Sequence, residues 1–482
     1  MTETTLEKTL NDERKIYADQ IKIKFKPPKN WVSDTGIIIK HKPYKKYHRT
    51  DIESIFAIKG VNDPYLQERQ IVAQVFPFKI NQQVVDLIDW DNYLTDPMFQ
   101  LTFPQPEMLD SKEIDKIKQM YANNASREAI ADAISEIRDG KNPAPAGQAY
   151  NRPLLEDDSE VYECDGLQHK YEKTCLLFHK NAQTCHAYCT YCFRFNQFVG
   201  KDKFLEPDTV RLHKYLAKHK EISDILITGG DPGTMKADVF RQILEPLKEP
   251  RFSHITNVRI GTKALTYHPY RFLTEPDADE LMDIFEEFIR SGKHISIMAH
   301  FSHANELSHA TIEAARRLRS VGCNIRTQAP IMRHINDSAE AWASMWKKQI
   351  QYGMVPYYMF LARDTGPQKY FEIPLARALK IFQEARNLMS GLGHTARGPS
   401  MSTGPGKIMI LGRETVAGED VFILKFTQAR HTEWCDRLFF AKYDEKATWL
   451  EDLQPAFGEE KFFFEDEYST LMTQKKSALG AR

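Results

Sequence analysis

The sequence predicts an α/β chain built around a partial (β/α)6 barrel over residues 166–412, with a helical region before it and a smaller appendage after it. Three observations predict that architecture. Past residue 170, short β-type apolar runs alternate with amphipathic helical stretches, the pattern of a parallel sheet covered by helices. Between about 51 and 165 the apolar residues recur at helical spacing instead. The run Asn142-Pro143-Ala144-Pro145-Ala146-Gly147 interrupts the helical pattern and reads as a linker.

Taken in order, residues 1–50 form a basic arm, with Lys22, Lys24, Lys26, Lys29 and a dense stretch from Lys40 to Lys46, expected to be solvated and partly mobile. In the helical region, 51–165, Ser111 opens one helix with Ile114, Ile117, Met120 and Tyr121 as its spaced apolar set. Ser126 opens a second, with Ile130, Ala133, Ile134 and Ile137 on one face. The barrel strands are expected at Cys175–His179, Asp224–Thr228, Thr256–Ile260, His294–Ala299, Asn324–Gln328 and Val355–Leu361. Helices are expected at Asp208–Lys218, Ala237–Leu247, Asp277–Ile289, Ala310–Ser320 and Ala339–Ile350. About six units fall short of a closed eight-stranded barrel and suit an open one, curled by right-handed crossovers. Chemistry in such sheets gathers at the carboxyl ends of the strands. Residues 413–482, with Trp434, Cys435, Trp449 and Phe462-Phe463-Phe464, read as an appendage whose aromatics pack as core.

Composition narrows the function classes. The 482 residues are 42% hydrophobic, enough for a large core, and 65 basic side chains balance 66 acidic ones. That balance gives no reason to invoke nucleic acid or a membrane surface. No apolar run approaches membrane-spanning length, and Met1-Thr2-Glu3-Thr4-Thr5-Leu6-Glu7-Lys8 lacks a signal peptide's apolar core. Seven cysteines, odd in number and clustered, argue for a reducing compartment, so a cytoplasmic location is expected.

The chemistry concentrates in Cys185-His186-Ala187-Tyr188-Cys189-Thr190-Tyr191-Cys192-Phe193-Arg194, where three thiols are spaced C-x3-C-x2-C. Three thiolates on one loop can hold three irons of a cubane cluster or part of a zinc site, for which His179 and His186 offer nitrogen. A four-iron cluster with three protein ligands leaves one iron open to a small molecule. One βα unit later, Leu226-Ile227-Thr228 ends in Gly229-Gly230-Asp231, where glycines permit close backbone approach and a carboxylate can hold a cation or amine. Near the end of the barrel lies Ser402-Thr403-Gly404-Pro405-Gly406-Lys407, a glycine-bearing turn with a lysine and without the spacing of a phosphate-binding P-loop.

Together these stretches resemble the radical S-adenosylmethionine (SAM) enzymes. Over roughly residues 160 to 415 the chain looks like their lysine 2,3-aminomutase group, through Val258-Arg259-Ile260-Gly261-Thr262-Lys263, His300-Phe301-Ser302-His303-Ala304-Asn305-Glu306, Thr327-Gln328-Ala329-Pro330, Arg333-His334-Ile335-Asn336-Asp337 and Pro356-Tyr357-Tyr358. The resemblance implies a 4Fe-4S cluster on Cys185, Cys189 and Cys192. It implies SAM held by Gly229, Gly230 and Asp231, and cofactor contacts from His300 and Gln328. It also implies pyridoxal phosphate (PLP) joined to Lys407 as a Schiff base, and the substrate α-carboxylate on Arg194. The implied reaction moves an α-amino group to the β-carbon, and it needs a one-electron reductant such as flavodoxin or ferredoxin.

The pattern departs from the lysine enzymes at the substrate tail. Where two aspartates grip the lysine ammonium in that group, this chain has Arg363 and Ser400, with Asp364 one step beyond the first. A cation repels an ammonium and welcomes a carboxylate, so Arg363 points to glutamate or another non-basic amino acid, as in glutamate 2,3-aminomutases. If Asp364 lines the pocket instead, lysine, free or protein-bound, is the alternative. Only Cys323 and Cys435 are available for the group's C-terminal structural zinc, so that site is not expected, and the dimer contacts it supports are left open.

Overall fold

The computed structural model describes residues 29–33, 35–142, 151–157, 160–199, 205 and 209–480. Lys22, Lys24 and Lys26 of the basic arm, residues 143–147 of the linker and Asp208 lie outside the described residues.

The chain's centre is one eleven-stranded sheet. Its strands in chain order are β1 (Leu167–Tyr171), β2 (Thr174–Phe178), β3 (Asp224–Thr228), β4 (Asn257–Thr262), β5 (His294–His300), β6 (Asn324–Ile331), β7 (Val355–Leu361), β8 (Arg397–Ser402), β9 (Gly406–Val416), β10 (Glu419–Ala429) and β11 (Leu438–Lys442). They lie side by side in that same order. Strands β2 to β8 run parallel, while β1 at one edge and β9, β10 and β11 at the other pair antiparallel. All six predicted strands are present within a residue or two of their expected bounds, apart from extensions at the ends of β4 and β6.

A seventh parallel strand, β8, follows a helix at Leu375–Asn387, and neither was predicted. Gly398-Pro399 interrupts the apolar run that would have marked the strand. The expected boundary at 412/413 falls inside β9, so the residues after it continue the barrel's sheet before forming the aromatic-rich end. There Phe426 meets Phe464 at 5.0 Å between ring centroids and Phe439 meets Phe462 at 5.5 Å, making the aromatic run part of the core.

Side-chain alternation explains what the sheet encloses. In β4, Val258, Ile260 and Thr262 are buried on one face, while Arg259 and Gly261 take the other. The apolar face packs against helices such as Ala278–Arg290, whose Leu281, Ile284, Phe285 and Phe288 are buried in the same core. Each such side chain contributes roughly 1.5–3 kcal/mol when removed from water. Helix starts are fixed locally: Ser308 accepts from Thr311 N at 3.2 Å, and Ser338 from Ala341 N at 3.2 Å. The opposite face of the sheet is left for polar residues.

In the helical region, Ser111 is not the cap of its helix. Asp110 takes that place, its N–H donating to Glu113 Oε2 at 2.8 Å, so Ser111 is the first helical residue. Ser126 does cap Arg127–Gly140, accepting from Ala129 N at 3.1 Å. The apolar core of this region also takes in Ala187, Phe195 and Tyr267, which belong to barrel loops. The described residues of 29–50 are mostly exposed, with a few anchors. Lys29 pairs with Asp279 at 2.6 Å, Ile39 and Tyr47 are buried, and Tyr44 packs edge-on to His186 and His268.

Candidate active site

The cysteine loop leaves the carboxyl end of β2 through a short turn at Lys180–Ala182. It is held mainly from outside the barrel. Tyr188 N donates to Lys79 O at 2.8 Å, and Thr190 N to Leu101 O at 2.9 Å. The Tyr44 hydroxyl donates to His186 O at 2.9 Å, and Lys79 Nζ to Thr184 Oγ1 at 2.9 Å. Burial raises the pKa of all three thiols, Cys192 to about 12, and each is raised further by at least one of the other two or by a nearby acid. Buried, mutually repelling sulfurs are stabilised as thiolates only by a cationic centre between them. A single tetrahedral ion would bring its sulfurs to about 3.8 Å of one another, given Zn–S bonds near 2.3 Å. Three thiolates on one loop can instead supply one ligand to each of three irons of a cluster. His179 Nδ1 accepts from Asn181 N at 3.2 Å, and His186 Nε2 lies 3.4 Å from Gly233 O, so both face backbone rather than the thiols.

Gly229 and Gly230 sit beneath this loop. Gly229 has φ +137°, and a Cβ on Gly230 would lie 2.6 Å from Thr184 O and 2.7 Å from its N. Gly230 N donates to Ala182 O at 2.7 Å, and Asp231 N to Thr184 O at 2.7 Å. The two glycines thus let the end of β3 press against the base of the cysteine loop. The Asp231 carboxylate turns inward, accepting from Gly233 N at 2.7 Å, from Lys263 N at 2.9 Å and from the Thr262 hydroxyl. In this arrangement Asp231 fixes the loop after β4 instead of facing an open space.

Deeper in the barrel, His300 and Gln328 are opposite each other in the β5–β6 register, with Gln328 Nε2 2.8 Å from His300 Nε2. Burial, with Lys263 and Arg194 nearby, lowers the His300 pKa to about 3, so a neutral ring accepts this bond on Nε2. Lys263 itself is paired with fully buried Glu306 at 2.5 Å. Ser338, two residues beyond Asn336, caps the next helix. Asn336 instead is 1% exposed and joins strand ends, donating to Ser302 O at 2.9 Å and Pro330 O at 3.1 Å.

The cationic side chains converge on the other side of the barrel. Arg194 lies over the Phe178 ring at 4.3 Å and the Phe193 ring at 5.2 Å. Its Nη1 is buried with no hydrogen-bond partner. Burial lowers its pKa to about 10, opposed by Cys192 and helped by Arg363. Arg363 covers Phe193 at 4.5 Å and donates to Ser402 O at 3.0 Å. Asp364 stands beside it, bearing electrostatically on both Arg363 and Glu451 and accepting from the Thr365 hydroxyl at 3.5 Å. Ser400 is fully buried on β8, and its hydroxyl has no partner.

Lys407 opens β9, pairing with Ser402 on one side and Gln428 on the other. Its ammonium lies 4.4 Å from the Tyr358 ring and donates to Gln428 Oε1 at 3.2 Å. Burial first, then Arg259, Arg397 and Arg363, lower its pKa to about 7. A lysine amine that is half neutral at pH 7 can attack an aldehyde. Arg326 and Arg397 flank Tyr357 and Tyr358 and bring positive charge to this space, while Arg259, which bears on Lys407, is ion-paired with Asp224. Arg326 and Arg397 were missed in the sequence because each is an isolated residue within a strand, and only the inward register reveals the set. One other group of potential ligands, His169, His219 and Glu221, lies within 4.8 Å. It is engaged in hydrogen bonds: His169 to Tyr215 at 2.7 Å and Glu172 O at 2.9 Å, and His219 to Glu221 at 2.7 Å.

Comparison with known proteins gives this geometry a context. No family model matches the chain. A putative L-lysine 2,3-aminomutase of Aquifex aeolicus is 28% identical over 405 residues, 84% of this chain and 95% of that protein. Glutamate 2,3-aminomutase of Clostridioides difficile is 24% identical over 403 residues, 78% of this chain and 92% of that protein. The L-lysine 2,3-aminomutase of Escherichia coli is 29% identical over 239 residues, half of this chain and 66% of that protein. Solved structures are more distant: Streptococcus suis SuiB bound to S-adenosylmethionine superimposes at a TM-score of 0.33, with 14% identity over 57% of each chain, too loosely to bear on the site.

Proposed function

We propose that this chain, a radical SAM homologue of the lysine and glutamate 2,3-aminomutases, is a PLP-dependent amino-acid 2,3-aminomutase whose substrate carries an acidic or otherwise non-basic side chain, glutamate foremost. One observation carries the substrate reading: Arg194 and Arg363 flank a single ring, Phe193, and Arg194 has a buried Nη1 with no partner. Two guanidiniums in one buried space favour a substrate with two carboxylates and disfavour a second ammonium. Asp364, the residue that would favour lysine, bears electrostatically on Arg363 as well as on Glu451, and the two arginines still leave this space net positive.

The residues present fit the three cofactors. Cys185, Cys189 and Cys192 would hold the 4Fe-4S cluster, and the close seat of Gly229 and Gly230 against Ala182 and Thr184 brings β3's end beside it for SAM. Lys407 would hold PLP, with Arg326 and Arg397 toward its phosphate. Cluster, SAM and PLP supply reductive radical generation and an electron system that stabilises a substrate radical. The chain's own residues do the rest. Arg194 orients a carboxylate, Arg363 selects the tail, His300 and Gln328 fix each other at the barrel's midst, and the helical region keeps water from the cysteine loop.

Two experiments test the reading. Borohydride reduction of the anaerobically reconstituted protein with PLP, followed by peptide mapping, should place a pyridoxyl group on Lys407. An adduct elsewhere, or none, removes the PLP branch. With SAM, PLP and a one-electron reductant, glutamate should be converted to its β-isomer faster than lysine. A preference for lysine would overturn the role given to Arg363.

A further inference from the structure

The three cysteines are not equivalent. The Tyr267 hydroxyl lies 3.1 Å from Cys189 Sγ, and Tyr267 is only 1% exposed. Its ring is anchored from both sides: it belongs to the helical region's core, and its backbone carbonyl accepts from Asn81 Nδ2 at 2.8 Å. Lys263 stands over the same ring at 4.8 Å. By contrast, Cys192 meets only backbone of its own loop, its N–H donating to Cys189 O at 3.2 Å.

We propose that Tyr267 is a positioning residue that sets the reduction potential of the cluster by donating a hydrogen bond to Cys189 Sγ. The inference rests on the assignment of Cys189 as a cluster ligand. The physical ground is that adding one electron to the cluster increases negative charge on its sulfurs. A donor already aimed at one of them then binds the reduced state more strongly than the oxidised state. Tyr267 is 1% exposed, so bulk solvent does not compete for that bond. The proton stays on the Tyr267 oxygen in both states, and the electron comes from the one-electron reductant. Because the donor reaches only Cys189, it also makes the iron on that sulfur electronically distinct from the irons on Cys185 and Cys192.

The test is an anaerobic redox titration of the reconstituted protein, followed by electron paramagnetic resonance, on wild type, Tyr267→Phe and Tyr44→Phe. Tyr44 serves as control because its hydroxyl braces the same loop through His186 O without touching a thiol. Tyr267→Phe should be harder to reduce, by roughly tenfold in the equilibrium constant, about 59 mV for one electron. Tyr44→Phe should titrate with wild type. An unshifted Tyr267→Phe with full iron and sulfide content overturns the proposal, as does an equal shift in Tyr44→Phe. If Tyr267→Phe retains no cluster, Tyr267→3-fluorotyrosine keeps the ring and strengthens the donor, and its potential should rise; no rise overturns the proposal. A wild type that assembles no four-iron cluster would instead refute the ligand assignment on which the inference rests.

Discussion

At the scale of single residues, cations outnumber acids around Phe193 and Tyr358: Arg194, Arg363, Arg397 and Lys407 against Asp364. Lys407 has a pKa lowered to about 7, chiefly by burial. Only the neutral amine attacks an aldehyde, so borohydride-trapped pyridoxyl adduct should form about tenfold faster per pH unit below 7 and level off above about 8. An ordinary lysine would still be gaining at pH 9. The same shift has a stability sign. The unfolded chain binds a proton at this lysine up to its ordinary value, while the folded chain releases it near 7. This group's contribution therefore rises with pH through that window and is lost as pH falls through 7. Lys407→Met should flatten that part of a melting-temperature profile. For Arg194→Gln, loss of a charge-assisted contact should raise KM for glutamate roughly 10- to 100-fold with iron content unchanged. Sequence showed the residue types here but not their directions. Arg363 and Asp364 are adjacent, and only the fold places the first over Phe193 with the charge of the second beside it.

At the scale of elements, the predicted strands were those with uninterrupted apolar runs, and what was missed shares one cause. In β8, Gly398-Pro399 reads as a turn, yet the strand survives because its burial comes from neighbours on both sides. The hairpin of β9 and β10 turns at Ala417-Gly418, both with positive φ, a two-residue connection whose signal was overlooked beside the stronger one at Gly404-Pro405-Gly406. Asp231 gains partners that the sequence did not predict. A carboxylate after two glycines invites a ligand role, but its partners Thr262, Gly233 and Lys263 come from backbone placement that no local pattern encodes. The glycine pair carries its own prediction. Gly230→Ala pushes a methyl group into Thr184 backbone, which cannot rotate away, and should cost roughly 1–3 kcal/mol together with a loss of bound iron. Gly412→Ala, with nothing within 4 Å of the added carbon, should change neither the melting temperature nor the iron per chain.

At the scale of the whole molecule, the helical region meets the barrel at the cysteine loop, among other contacts such as Tyr370 to Gln100. That region's helices were legible in the sequence but its purpose was not, because many of the contacts run through backbone carbonyls such as those of Lys79 and Leu101 and through a buried amide, Asn81. Asn81 is 1% exposed; its Nδ2 also reaches His186 O at 3.4 Å, and its Oδ1 accepts from Val84 N at 3.1 Å. Replacing it with alanine leaves the Tyr267 carbonyl and the Val84 N–H short of a partner, each at about 1–3 kcal/mol. Ala187, Phe195 and Tyr267 share the helical region's core, so loosening that joint should loosen the thiols as well. Asn81→Ala is therefore expected to melt earlier than wild type and to hold less iron, with both losses appearing together in a thermal melt followed by iron absorbance. Lys116→Ala, which removes only an exposed pair with Glu136, should leave both unchanged. If Asn81→Ala melts earlier while keeping its full iron, the helical region would be an independent cover, and the cysteine loop would owe its shape to the barrel alone.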